Sequence, residues 1–397
     1  MLALSAPCPT SNKVALLPAH PARQDDIVSV VSARLHPSSP HISTAPQYVG
    51  LHVSIGEHCQ RSQTLRADND GVYNCQVSAH INSIEDLYQF IDDAEVETRV
   101  ATAVTDLTVK LGEPAPIAAL RQCLSLVINV TDVVLLLPLH TPPHLLAGLH
   151  LPKLELFKTN LPHRDLLPFL GLLPNLSVLC LDSCHRHADE RVCPLSGVNL
   201  SSVLTMECPA GCASGATRGE LVRLTLDDRA SIIGIPQALR SFGAPSLSYL
   251  SLDFFPDDYD VLQEIVSAVP RLRKLKLLEK HQKTRRQSHS RRAWNDVARW
   301  SGWLSKLTYL EELALRTAAS VVRNAANVNC EKATLLRWIS GTQRQAKHRP
   351  RHPTLSHIRV WYRCRDVGNS VITHWSRYTG TWENTLLLRD PLPTTLF

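Results

Sequence analysis

The chain has none of the short motifs by which common enzyme classes are recognised. Its 397 residues contain no G-x-S-x-G elbow, no Walker loop, no G-x-G-x-x-G turn and no H-E-x-x-H helix. Catalysis is unsupported, so the chain reads as non-enzymatic, with no cofactor and no metal. Long apolar runs are missing too. The most apolar stretch, Leu124 to Leu139, contains Asn129 and Asp132 and is shorter than the roughly 20 residues a spanning helix needs. No membrane association is expected. The start, Met1-Leu-Ala-Leu-Ser-Ala-Pro-Cys-Pro, lacks the basic segment and apolar run of a secretory signal. The eleven cysteines follow no regular framework and are odd in number, which favours a reducing compartment. The expected location is cytoplasmic and/or nuclear, and there the sequons at Asn129, Asn175 and Asn199 have no meaning.

What the chain does have is a recurring pattern. Leu176-Ser-Val-Leu179-Cys-Leu181-Asp-Ser-Cys184 reads L-x-x-L-x-L-x-x-C, the core of a leucine-rich repeat. Ten units share this template, centred on Leu107, Val133, Leu154, Leu179, Leu204, Leu224, Leu250, Leu275, Leu313 and Ile358, with Ser201 leading the unit at Leu204. Successive centres are 26, 21, 25, 25, 20, 26, 25, 38 and 45 residues apart. The first seven intervals fit the roughly 20–29 residues of such repeats. Helical apolar spacing lies between them, at 117–124, 165–170 and 258–269. Pro152, Pro174, Pro245 and Pro270 each stand just before the next strand, where a helix must already have stopped. The fold class expected is an α/β leucine-rich-repeat solenoid, with a curved parallel sheet on the concave side, helices on the convex side and a cap at each end. A doubly wound α/β domain also alternates strands and helices, but its strands would not share one template.

Composition divides the chain further. Residues 1–47, rich in Pro, Ser, Ala and His, read as largely disordered apart from a short helix at 25–34. Residues 48–100 read as an N-terminal cap or degenerate adaptor region, with a strand near 48–55 and a helix near 84–91. The solenoid is placed at 101–365, and 366–397 is read as a C-terminal cap and tail. The two long intervals contain basic insertions near 279–292 and 341–352. Lys and Arg exceed Asp and Glu by 42 − 36 = +6. Residues 271–292 alone carry ten Lys or Arg against Glu279, a charge of +9. All seven tryptophans, the first of them Trp294, lie after residue 290, which suggests a distinct aromatic C-terminal cap.

The residue just past the third apolar position is acidic in successive units, at Asp182, Glu207, Asp227 and Asp253. Strands stacked about 4.8 Å apart would set these carboxylates in a ladder on the concave face. The next units reverse the sign, with Lys274, Lys276, Arg316 and Arg359. These eight residues are the expected partner-binding face, suited to a partner of opposite polarity.

Two clusters allow other chemistry. Cys180, Cys184, His185, His187 and Cys193 place five metal-ligating residue types in fourteen residues, followed by Cys208 and Cys212. Structural zinc needs four converging ligands. Cys184 stands where the repeat points inward and Cys180 where it points outward, so the two diverge. They read as structural thiols beside loop histidines. Lys283, Arg285, Arg286, Arg291 and Arg292 form a basic run open to three readings: a solvated loop, a nuclear-localisation signal or a nucleic-acid contact. Trp294, Trp300 and Trp303 follow it and are either base-stacking or core.

Leu120-Arg-Gln-Cys-Leu-Ser-Leu-Val, Leu151-Pro-Lys-Leu-Glu-Leu, Leu173-Pro-Asn-Leu-Ser-Val-Leu-Cys-Leu-Asp-Ser-Cys184 and Val269-Pro-Arg-Leu-Arg-Lys-Leu-Lys-Leu resemble the ribonuclease-inhibitor-like repeats of F-box proteins of mushroom-forming fungi. The resemblance covers about 100–320. It implies that the repeats hold a ubiquitination substrate while an N-terminal F-box docks on the adaptor of a cullin–RING ubiquitin ligase. An F-box usually opens Leu-Pro-x-Glu; here Leu17-Pro18 is followed by Ala-His-Pro-Ala-Arg, and no recognisable F-box is present. The expectation is a protein-recognition scaffold, with substrate reception for the ligase as its specific form. The alternative is a nuclear or nucleic-acid-associated protein using the basic insertion.

Overall fold

The computed structural model describes residues 49–52, 61–67, 73–138, 141, 143–182, 184, 193–212, 221–227, 246–256, 258–280, 292–317, 321, 328–341, 352–363, 370–378 and 380–388, with side chains from residue 77 onward except at 197, 227, 328, 363, 370, 371, 378 and 385–388. The helix expected at 25–34 lies outside them. The protein is a mixed α/β structure built on one open sheet of fifteen strands whose spatial order is their chain order. From Tyr73–Ile81 to His357–Arg363 every neighbouring pair is parallel. Antiparallel strands close each end. Val49–His52 and Arg61–Ala67 precede the parallel run, and Ser370–Tyr378 and Thr381–Leu388 follow it.

Each strand is short, and two alternating positions turn inward, as a period of two requires. The first inward column runs Ala79, Leu107, Val133, Phe157, Leu179, Met206, Leu224, Leu250, Leu275, Leu313, Ile358. None of these is more than 1% exposed. The second runs Ile81, Val109, Leu135, Thr159, Leu181, Cys208, Leu226, Leu252, Leu277, Leu315, Val360, likewise buried. Both join the buried faces of the helices, such as Leu120 and Leu124 of Ile117–Leu126 or Leu166 and Phe169 of His163–Leu170, in a single apolar core. Phe157 meets Phe169 edge to face at 5.4 Å, one sheet-to-helix contact.

The strands are locked together at their entries. The carbonyls of Thr131, Glu155, Ser177, Leu204, Val222, Ser248, Arg273 and Glu311 each accept two successive amides from the next strand, at 2.7–3.1 Å. A carbonyl has two lone pairs, and here both are used. Side chains reinforce this seam. Thr131, Ser177, Ser248 and Ser356 each donate a hydroxyl to the carbonyl one unit back. The sequon residues Asn129 and Asn175 donate to Thr102 and Pro152 carbonyls in the same region.

Two sequence centres are corrected. The unit assigned to Leu154 is centred on Phe157, whose partners are Val133 and Leu179; Thr159 fills the third inward position, fully buried. The unit assigned to Leu204 is centred on Met206, flanked by Val203 and Cys208, all buried, while Leu204 is 42% exposed. Both were displaced because a neighbouring leucine fits the template better than the residue that packs. A further parallel strand, Tyr73–Ile81, precedes the first expected unit. The template passes over it because small Ala79 follows Gln76 at the leading position.

At the C-terminal end five of the seven tryptophans, Trp294, Trp300, Trp338, Trp375 and Trp382, are buried in the same core as the leucines. The aromatic cluster therefore continues the core rather than forming a separate one. Phe254 meets Trp294 at 6.1 Å and Trp300 meets Trp338 at 6.0 Å. Glu331, on the helix Val328–Ser340, is buried and accepts from Tyr362 Oη (2.7 Å), Thr373 Oγ1 (2.5 Å) and Trp375 Nε1 (2.6 Å). One carboxylate thus joins a helix to two strands. Leucine at this position would orphan three buried donors. Glu331→Leu is expected to lower unfolding free energy by about 3 kcal/mol or more, against about 1 kcal/mol for Tyr362→Phe, measured by urea denaturation. Equal losses in the two variants would show that Glu331 is not the hub.

Candidate functional site

The face opposite the core carries the variable columns. Over the C-terminal half, one column runs Thr205, Arg223, Tyr249, Lys274, Glu312, His357 and the next Glu207, Thr225, Ser251, Lys276, Ala314, Arg359. Ala314 is short among long neighbours, and around it lies a recess of 510 Å³ lined by Arg223, Tyr249, Lys274, Lys276, Glu312 and Arg359. Glu312 sits between two cations, 3.5 Å from Lys274 and 3.2 Å from Arg359. Arg223 lies over Tyr249 at 4.1 Å and Arg316 over Trp361 at 3.8 Å. Both guanidinium groups are held against ring faces that attract cations. Burial pushes the Lys276 ammonium below its ordinary value; Arg223, Arg316 and Arg359 act in the same direction against Glu207. The five cations Arg223, Lys274, Lys276, Arg316 and Arg359 thus face Glu207, Glu312 and, beside Arg316, Asp253, and positive charge predominates on this face.

Lys274, Lys276, Arg316 and Arg359 were expected here, and the structure brings them together. Arg223, Tyr249 and Glu312 were missed. Their signal is the polar residue alternating with leucine inside each strand, as in Leu221-Val-Arg-Leu-Thr-Leu.

The expected acidic ladder does not form as drawn. Glu207 is Cα partner to Cys180 and Thr225, and Asp227 to Pro209. Glu207 therefore stands one column away from Asp227, because the true strand centre is Met206. A two-residue shift keeps the face and changes the column. Asp253 is only 3% exposed and pairs with Lys280 Nζ at 3.0 Å. Asp182 is half-buried on the open face, and the side chain of Asp227 lies outside the described residues.

A different acidic group stands at the N-terminal end of the sheet. Asp106 and Asp132 are partners on adjacent strands, with Glu155 nearby. Burial, then the hydrogen bond to and charge of Asp106, then Glu155, push the Asp132 carboxyl up to about 7.

Within the basic insertion, Lys283, Arg285, Arg286 and Arg291 lie outside the described residues. Arg292 is buried, ion-paired with Glu279 and 5.4 Å from the Trp294 ring. Thr317 Oγ1 donates to the same carboxylate at 2.5 Å. Arg292 is thereby withdrawn from any nucleic-acid surface, and so are buried Trp294 and Trp300. Trp303 packs on the core with Lys306 over its ring at 3.8 Å.

The cysteines give a further correction. Cys184 points inward and Cys180 lies half-buried on the open face, so those two diverge. Cys184 instead meets Cys193, Cys212 and His163, all four buried, with ligand atoms within 4.8 Å of one another. Cys184 Sγ is 3.7 Å from Cys193 Sγ. His163 Nδ1 is 3.3 Å from Cys193 Sγ and 3.6 Å from Cys212 Sγ. Hydrogen bonding with Cys193 and Cys212 pulls the Cys184 thiol far down, and the same contact with Cys184 pushes Cys193 up to about 11. His163, 21 residues before Cys184, carried no motif signal, and His185 and His187 lie outside the described residues.

No family model and no curated protein matches the chain. The functional reading therefore rests on geometry.

The Asp106–Asp132 pair gives a pH signature. The folded state binds the Asp132 proton more tightly than the unfolded chain, so the stability from this site is full below about pH 4 and is lost as pH rises through about 7. Asp132→Asn is expected to stabilise the protein at pH 8 by on the order of 1 kcal/mol, after allowance for solvent screening, and to change little at pH 4. Thermal unfolding at both pH values checks this. An equal effect at the two would discount the pair.

Proposed function

We propose that the chain is a leucine-rich-repeat recognition scaffold that binds an acidic surface of a protein partner on the concave face of its sheet. The observation that carries this reading is the recess around short Ala314, lined by Arg223, Lys274, Lys276 and Arg359 with Tyr249 and Glu312, next to which Arg316 lies over Trp361. Parallel strands adding in chain order, with the inward triplets in register, support the repeat assignment. Two of the cations lie on aromatic rings, a preorganised arrangement that lowers the ordering cost of binding. Substrate reception for a cullin–RING ligase is the specific form suggested by the resemblance of the repeats. Its adaptor-docking half rests on the first hundred residues, and Leu17 and Pro18 lie outside the described ones.

The test is capture of partners by the full chain with and without nuclease, compared with a Lys276→Glu/Arg359→Glu variant. The wild type is expected to retain a nuclease-resistant protein set that the double reversal weakens about tenfold or more, with strong salt dependence in the wild type alone. Capture indifferent to the reversal would sink the proposal. Capture lost on nuclease treatment would favour the nucleic-acid reading.

A further inference from the structure

Equivalent turns of successive units stack at the C-terminal ends of their strands. His163 follows Leu156–Thr159 by four residues, Cys184 follows Val178–Leu181 by three, and Cys212 follows Thr205–Pro209 by three. Neighbouring strands lie about 4.8 Å apart, so side chains from three such turns can meet at one point. Cys193 enters from the N-terminus of the short 3₁₀ helix Pro194–Gly197 and completes the group. The ring of His163 is fully buried, and its Nε2 makes no hydrogen bond among the described residues. Its ring meets the thiols of Cys193 and Cys212 through Nδ1, and it also interacts with the Cys184 thiol.

The spacing matches a definite coordination sphere. For Zn–S of about 2.3 Å and Zn–N of about 2.1 Å, a tetrahedron requires S···S of about 3.8 Å and S···N of about 3.6 Å. The observed separations are 3.7 Å between Cys184 and Cys193 and 3.3 and 3.6 Å from His163 Nδ1 to Cys193 and Cys212. At 3.7 Å, Cys184 and Cys193 are far from a disulfide, whose sulfurs lie about 2.0 Å apart. Three soft thiolates and an imidazole select zinc over magnesium or calcium.

We propose that His163, Cys184, Cys193 and Cys212 bind one structural zinc ion. Four protein ligands leave no open position, so the ion holds structure and does not activate water. It cross-links three successive units and ties down both ends of the segment between Cys184 and Cys193. Binding releases the thiol protons and couples to folding.

The full chain, purified under reducing conditions without chelator, is expected to contain about one zinc per molecule by elemental analysis, and Cys212→Ser less than about a fifth of that, with Cys180→Ser unchanged. Because Cys212→Ser can fail to fold, the deciding measurement uses the unsubstituted protein exchanged into cobalt(II). The expected spectrum has the intense visible bands of a tetrahedral site together with sulfur-to-cobalt charge transfer. A folded wild type holding less than about a tenth of an equivalent of zinc would overturn the proposal. So would iron with sulfide absorption in place of zinc, a Cys184–Cys193 disulfide, or a weak octahedral cobalt spectrum.

Discussion

The carbonyl at the entry of each strand, accepting two amides from the next, is the constraint on which the rest of the protein depends. It repeats from Thr131 to Glu311 without a break. A carbonyl with both lone pairs committed cannot slip by one residue without orphaning an amide in the seam. Register is therefore fixed at the entry by backbone hydrogen bonds alone. A slip of one would also turn every inward leucine outward, so the polar seam and the apolar columns enforce the same alignment.

Because register is fixed locally, the length of a crossover matters little. The last two intervals, 38 and 45 residues, are long, yet Arg273 and Glu311 carry the same double acceptance as Ser177. The extra chain is closed off at its base. Glu279 at the end of one strand holds Arg292 at the return of the insertion and Thr317 at the end of the next strand. Such a buried pair contributes little against an apolar replacement, but removing one partner alone costs several kcal/mol. Its role is to specify where the insertion leaves and re-enters the sheet. Glu331 does the corresponding work at the C-terminal end, where antiparallel strands replace the parallel run.

Most of the architecture was legible because it is periodic. Eight of the ten expected centres, from Leu107 to Ile358, occupy the first inward column. The two displaced ones, Leu154 and Leu204, lie where Thr159 and Cys208 take the third inward position. A template that rewards leucine cannot see a buried threonine whose hydroxyl accepts the Leu161 amide. Half of the basic recess was visible as charge, but Arg223 and Tyr249 were not, because what makes them a site is short Ala314 in the adjoining column. The cysteine–histidine cluster was hidden for a different reason. Its members span 49 residues, and only the superposition of three turns brings them together.

The basic recess and the cysteine–histidine cluster follow from one geometric fact. A sheet that adds units in chain order brings each residue beside its equivalents one unit away, at about 4.8 Å. Where the equivalents are leucines, a core column results. Where two carboxylates are partners, as at Asp106 and Asp132, burial and the pairing push the Asp132 carboxyl up to about 7. Glu312 pairs with Lys274, and Glu207 only partly offsets the burial and the neighbouring guanidinium groups that lower the Lys276 ammonium, so a positive recess remains. At the turns after three neighbouring strands, an imidazole and two thiols converge with a third thiol. The core columns are closely packed, whereas the outward columns and the turns carry charge and thiols without entering the seam.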